Sequence, residues 1–581
     1  MSLLLALVLA APPAETLTST ADVRACQPLA DGRVLAATSG GLVLYGRDLE
    51  PERTWTSFDA LPGTDVRALA VSRDGASVWV GGQDGVAVLH RDGAGKWEVQ
   101  RLSTVRSVGS LLATDDGRLL VGAGGGLVVL DTRGGEPQRR YELPRDRTRG
   151  PRQFVTSLAH GPGGTYVGTS GGGLWVWNGA GLEPARAELP SPYVHALGIA
   201  NGRALAATVG GLVEIGKARP VSAAEVRALL REEGGWLAAT MGEGLVRLDD
   251  ATGERPVAFP SKHVTALGRE GETTCAGTTE GTFVRRGPRG AWRHARVTGP
   301  PSNDISALAL DGERLWVGTF DRGLAVLEHG RWTAVAGLDE RVNALALERR
   351  SEGSRLWVAT TRGLASLEGG TVQVRRRAEG LPADDVHAVT VLRGGGVLAG
   401  TARGAAIVRG GQVESLVKAG APAEATWAVA EAADGSLWLG TTNGLHRYRA
   451  GAPIRRFSVA GGHLWDNWVT SIALDGPSVW VGTYAGGVSH LTLGARDAVT
   501  AAPWAGNAHV NPAGLSLFQG QLWAATMEGV MYRDLTGGDG AWRPAGGHAP
   551  GLDVTAVVHD PRVRWVASRN GLARWPGPDR P

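Results

Sequence analysis

Arg314-Leu315-Trp316-Val317-Gly318-Thr319-Phe320-Asp321-Arg322-Gly323-Leu324-Ala325-Val326-Leu327 is an apolar run, a turn closed by Gly and a second apolar run. That order reads as strand, tight connection, strand: a β-hairpin. Copies of its first half stand at Arg355-Leu356-Trp357-Val358-Ala359-Thr360, Ser436-Leu437-Trp438-Leu439-Gly440-Thr441 and Ser478-Val479-Trp480-Val481-Gly482-Thr483. The place of Thr319 recurs as Thr38, Gly82, Ala123, Thr169, Thr208, Thr240, Thr278, Thr360, Thr401, Thr441, Thr483, Thr526 and Ser568. The mean spacing of about 41 residues is the length of one four-stranded propeller blade.

The rest of the blade is legible around each hairpin. Upstream lies a V-x-A-L strand, as in Val66-Arg67-Ala68-Leu69 and Val342-Asn343-Ala344-Leu345, then a Gly turn such as Asp311-Gly312 or Asp434-Gly435. Asp-Gly favours the positive-φ turns that suit hairpins. Downstream, short runs around Trp97 and Trp332 complete four strands. No stretch keeps a helical period, so the chain is expected to be all-β. Radial blades close in rings of four to eight, so fourteen predict two seven-bladed β-propellers in tandem. The expected cut is at Thr298-Gly299-Pro300-Pro301, giving residues 15–299 and 300–581, because two prolines exclude a central strand. The fourteenth repeat ends at Trp575 without a fourth strand, and residues 15–20 offer a spare one that could close it. A variant of this arrangement places all of repeat one in the second ring.

The 581 residues include 87 Gly, which fall in the turns that blades need, and the net charge is +3. That balance leaves no footprint for nucleic acid. Met1-Ser2-Leu3-Leu4-Leu5-Ala6-Leu7-Val8-Leu9-Ala10-Ala11-Pro12-Pro13-Ala14 reads as a signal peptide, residues 1–14, so a periplasmic or secreted location is expected. It is too short to span a bilayer, and no other apolar run is long enough. Cys26 and Cys275 both take core-facing places and are expected as two buried thiols. A disulfide becomes conceivable if repeats one and seven are neighbours in a closed ring. No Cys/His cluster has metal spacing, and no cofactor is implied.

With Leu381-Pro382, Asp384-Asp385-Val386, the Asp-Gly turns and the Leu-Trp-Val-Gly-Thr run in view, the repeat resembles the two-component regulator propeller repeat. Repeats eight, nine, eleven and twelve match its pattern well; repeats three, six and seven depart from it, at Ala123, through shortness and at Cys275. The resemblance implies the paired seven-bladed periplasmic sensor of hybrid histidine kinases, many of which respond to carbohydrates. No kinase or receiver segment appears before Pro581. The resemblance therefore implies a sensor-like module whose output passes through a separate polypeptide.

Strand alternation puts the loop leading into each V-x-A-L strand and the loop after each Trp strand on one end of the ring, where propellers commonly bind. In the first ring these loops are mostly small and bland, with Gln83-Asp84 and Thr279-Glu280 as exceptions. In the second they carry Asp321-Arg322, Arg362, Arg403, Asn443 and Tyr484, and the leading loops add Asp385, His463, Trp465, Asp466, Asn467, Trp468, Trp504 and His509. Aromatic faces beside amides and carboxylates suit a sugar, with its C–H face on the ring and its hydroxyls on the polar groups. The arginine series could instead grip an acidic ligand. Packing between blades is the competing role for each Trp. The expectation is a non-catalytic ligand-binding protein with a carbohydrate on the second ring. A separate kinase would be its signalling partner; a scaffold that holds an envelope protein partner is the alternative. A lyase or glycosidase built on Asp321, Asp385 and Asp466 is the third reading. No nucleophile or metalloprotease motif stands in the chain.

Overall fold

The structure is a computed structural model that describes residues 15–93, 95–132, 137–144, 153–217, 220–249, 253–351, 353–494, 499–503, 508–536, 540–546 and 549–577. Its strands form fourteen four-stranded antiparallel sheets. In thirteen of them the strands follow one another in sequence. Blade nine, for example, runs Val342–Arg350, Gly353–Thr360, Gly363–Glu368 and Thr371–Arg375. Blade fourteen is different. Its strands Val554–His559, Val563–Ser568 and Gly571–Pro576 are completed by Glu15–Leu17, with Thr16 opposite Ala573.

Contacts divide the chain into two units: Ser19–Thr298 is one, and the residues up to Thr18 with those from Gly299 onward are the other. Each is a seven-bladed propeller whose innermost strands pack blade to blade until the circle closes. In the first unit Val23, Cys26 and Tyr45 of blade one share a core cluster with Cys275, Val284 and Ala295 of blade seven. Cys26 and Cys275 are joined there as a disulfide, with their Cα atoms 6.2 Å apart. This corrects the expectation of two thiols, and the cause is closure itself, which sets the first and seventh blades side by side. Gly268 permits the approach, since a Cβ there would stand 2.1 Å from the Cys26 carbonyl oxygen. In the second unit the corresponding cluster joins Ile305, Leu315 and Val317 to Ala556, Trp565 and Leu572, with Leu17 packed against it.

Two recurring details shape the mouth of each ring. The Thr that ends the Trp strand is buried and pins the following loop: the Thr319 hydroxyl donates to Gly323 O at 2.9 Å and accepts from Arg322 N–H at 2.9 Å. The variable residue of V-x-A-L sits at a register shift, as between Val386 and Ala388 or Val469 and Ser471. Such a bulge re-aims the side chain. Here it turns toward the neighbouring blade: Thr470 Oγ1 donates to Val510 O at 2.7 Å, Asn511 Nδ2 to Val554 O at 2.7 Å, and Thr555 Oγ1 to Ile305 O at 2.7 Å.

Candidate functional site

Backbone hydrogen bonds place the leading loop and the loop after the Trp strand together, as Tyr484 N–H donates to Trp468 O at 2.9 Å and Met527 N–H to His509 O at 3.0 Å. In the second unit this arrangement assembles one aromatic row across four blades. His387 stacks on Trp427 with centroids 4.0 Å apart, and Trp427 leans on Trp468 at 5.8 Å. Trp468 in turn stacks on Tyr484 at 4.4 Å, and the edge of His509 meets Tyr484 at 5.6 Å. Both ends are closed by carboxylates: Asp385 lies 3.2 Å from His387 Nε2, and Glu528 lies 2.7 Å from His509 Nδ1.

The loop of residues 461–468 divides its side chains between support and display. Asp466 accepts from the backbone N–H groups of Trp468 at 3.2 Å and Ala485 at 3.0 Å, and Asn467 Oδ1 accepts from Val459 N–H at 2.9 Å. His463 packs edge-on against Phe457 at 5.4 Å. These three hold the loop. Trp465 is left 58 % exposed, while Trp468 is half-buried within the row.

The remaining expected residues are distributed around the same mouth. Asp321, Arg322, Arg362 and Arg403 are exposed on their loops. Asn443 pairs with Glu424 at 3.4 Å and with the Arg456 guanidinium. Trp504 lies outside the described residues. Arg569 is committed within the mouth: it pairs with Asp304 at 2.9 Å and stands 3.9 Å over the Phe320 ring. Burial lifts the Asp304 carboxyl above its ordinary value against the pull of that arginine, with Asp321 and Asp553 adding to the lift.

Two members of the row, His387 and Trp427, were not singled out as ligand-binding from the sequence. Both occupy the x of a V-x-A-L-like strand, where simple alternation hides their role, and the bulge turns them into the row. Reading x across all repeats would have raised them. Four of the first unit's x positions differ in kind: Arg24, Arg67 and Arg227 pair with Asp22, Asp65 and Glu225, and His195 stands 3.6 Å from Glu225, whereas Thr265 bridges to Val23 O at 2.6 Å as Thr470 does to Val510.

No protein-family model matches the chain, and no curated protein does. In fold the chain is similar to PorZ, a surface component of the type-IX secretion system of Porphyromonas gingivalis, with a TM-score of 0.75 at 15 % identity over 97 % of this chain and 87 % of that one. The extracellular domain of the B. thetaiotaomicron hybrid two-component system BT3049 aligns at a TM-score of 0.39 and 17 % identity, over 98 % of this chain and 83 % of that one. That of BT4673 aligns at 0.40 and 15 %, over 98 % and 84 %.

Proposed function

We propose that this protein is an exported binding module that does no chemistry and takes a saccharide at the mouth of its second propeller. The observation that carries the reading is the row from His387 to His509 with Trp465 exposed on the same face. Sugars are held by flat aromatic surface and by charged acceptors, and here Asp385 and Glu528 flank the surface. The exposed arginines of the same mouth would serve an acidic sugar. Residues 1–14 act as the export signal in this reading. A glycan-array screen of the protein beside a Trp465→Ala, Trp468→Ala double variant tests it. Binding by the parent that the variant loses is the expected result; a parent that binds no glycan removes the proposal.

A second reading has its own observation. Leu552, on a leading loop of the same unit, is 74 % exposed, and exposed apolar surface on a ring face suits a protein partner in the envelope. The fold shared with a bacterial surface component agrees with it. A pull-down with envelope extract, repeated with Leu552→Asp, distinguishes the two: capture that Leu552→Asp abolishes and the Trp variant retains favours the partner.

A further inference from the structure

The first propeller carries a cavity of about 450 Å³ between blades three and four, within the range of about 300–1,000 Å³ typical of small-molecule sites. Its walls are Thr104, Arg106, Ser107, Gly124, Arg140 and Phe154, with Ser103 and Val105 behind them. Among the described residues no acidic side chain lines it. Neither Arg106 nor Arg140 has a carboxylate partner among the described residues. Other arginines of this unit are paired: Arg33 with Asp31 at 2.8 Å, Arg203 with Glu214 at 2.8 Å and Arg247 with Glu232 at 2.8 Å.

The cavity exists because of a loop without side chains. Where blades of the second ring carry larger residues at this place, such as Phe320-Asp321-Arg322 or Met527-Glu528, blade three has Gly124-Gly125-Gly126. A Cβ on Gly124 would press on the Phe154 ring at 3.3 Å and on Ser107 at 3.4 Å, and one on Gly126 would stand 2.1 Å from the Tyr141 carbonyl oxygen. Phe154 is bridged to Gly124 through the backbone and remains 42 % exposed. Arg140 Nη2 donates to Gly124 O at 2.9 Å, which fixes the guanidinium at the rim and leaves its other donors for a ligand. Tyr193 repeats the arrangement one blade further on, lying over Gly171 and 52 % exposed.

We propose that this cavity binds a small organic carboxylate with a flat apolar face. Arg106 and Arg140 would hold the carboxylate, since a guanidinium fork matches its two oxygens, and Phe154 would cover the apolar face. A uronic acid and an aryl carboxylate share that chemistry. The site is separate from the second propeller, so its occupancy does not depend on the saccharide reading above.

Saturation-transfer NMR on the full chain tests this with two probes, glucuronate and 4-hydroxybenzoate, each beside its methyl ester. The expected result is a saturable signal from at least one acid, at least tenfold weaker binding of its ester, and a similar loss in Arg106→Ala, Arg140→Ala. Phe154→Ala should weaken the same probe, while Trp465→Ala, Trp468→Ala leaves it unchanged. Which acid binds identifies the source of the carboxylate. No saturable signal from either acid overturns the proposal. So does a signal that the arginine double variant retains with its circular dichroism unchanged, or one that the esters match.

Discussion

Cys26 and Cys275 stand 249 residues apart in sequence and 6.2 Å apart at their Cα atoms. They mark where the first propeller closes, and they set it apart from the second. In the first unit every blade is built from consecutive strands, so no shared strand joins the last blade to the first; packing, hydrogen bonds such as Thr265 Oγ1 to Val23 O at 2.6 Å and Arg296 N–H to Leu49 O at 3.0 Å, and this one covalent bond do so. In the second unit Glu15–Leu17 enters blade fourteen and ties one end of the chain to the other by backbone pairing.

The disulfide therefore bears on one unit alone. Closing a loop of this length lowers the entropy of the unfolded chain by an amount worth about 5 kcal/mol in the chain-entropy model. Cys26→Ala, Cys275→Ala is expected to lower the stability of the first propeller by about 3–5 kcal/mol and leave the second unchanged. Hydrogen exchange followed peptide by peptide reads both units at once. Equal loss of protection in residues 300–577 would defeat the expectation.

The complementary change is a chain that begins at Ser19. It removes the fourth strand of blade fourteen and exposes the edge Gly571–Pro576. Such an edge is a template for pairing with other chains. The truncated protein is expected to lose protection in blades eight and fourteen and to self-associate, which light scattering detects, while the first propeller keeps its midpoint of unfolding.

The blades could be read from sequence because their markers are local: the Thr that pins each loop, the Asp-Gly turns, the alternating apolar runs. Asp311-Gly312 shows why, since Gly312 takes φ 61°, a conformation glycine adopts without strain. What escaped was set by geometry between repeats. The pairing of Cys26 depends on which blades become neighbours. The aromatic row depends on a bulge that a period of two cannot reveal, so His387 read as a strand residue like any other. The first ring looked bland for a physical reason of its own: the small loops that suggested no site at Gly124 and Gly171 are what leave Phe154 and Tyr193 uncovered.

Thr470 tests the blade-to-blade bridges. It is 1 % exposed, and its hydroxyl donates to Val510 O at 2.7 Å. Thr470→Val keeps the shape and leaves a buried carbonyl without its donor, at a cost of about 1–3 kcal/mol. The urea midpoint of the second propeller should fall by a corresponding amount. An unchanged midpoint would mean the bridge contributes nothing to that ring.

The last expectation concerns acid. His559 stacks on Phe518 at 4.9 Å and leans on Trp523, with Arg564 4.0 Å above the Trp523 ring. Burial, reinforced by the Arg564 charge, pushes the His559 pKa down from 6.5 to about 3. The unfolded chain takes up a proton at pH values where the folded protein does not, so stability rises with pH across that interval. The contribution is complete above pH 6.5 and is lost as the pH falls toward 3. His446 and His490, in the same propeller, are also held below their ordinary values by burial and add to the trend in the same direction. His559→Phe keeps a ring in the stack and removes the titration. It loses the contacts to Ser516 at 3.1 Å and Arg564 at 3.3 Å, so its stability at pH 7 should be lower than the parent's. Its decline between pH 6.5 and 4 should nevertheless be shallower. Unfolding midpoints measured at half-unit steps of pH give both slopes, and equal slopes would show that His559 is not the group responsible.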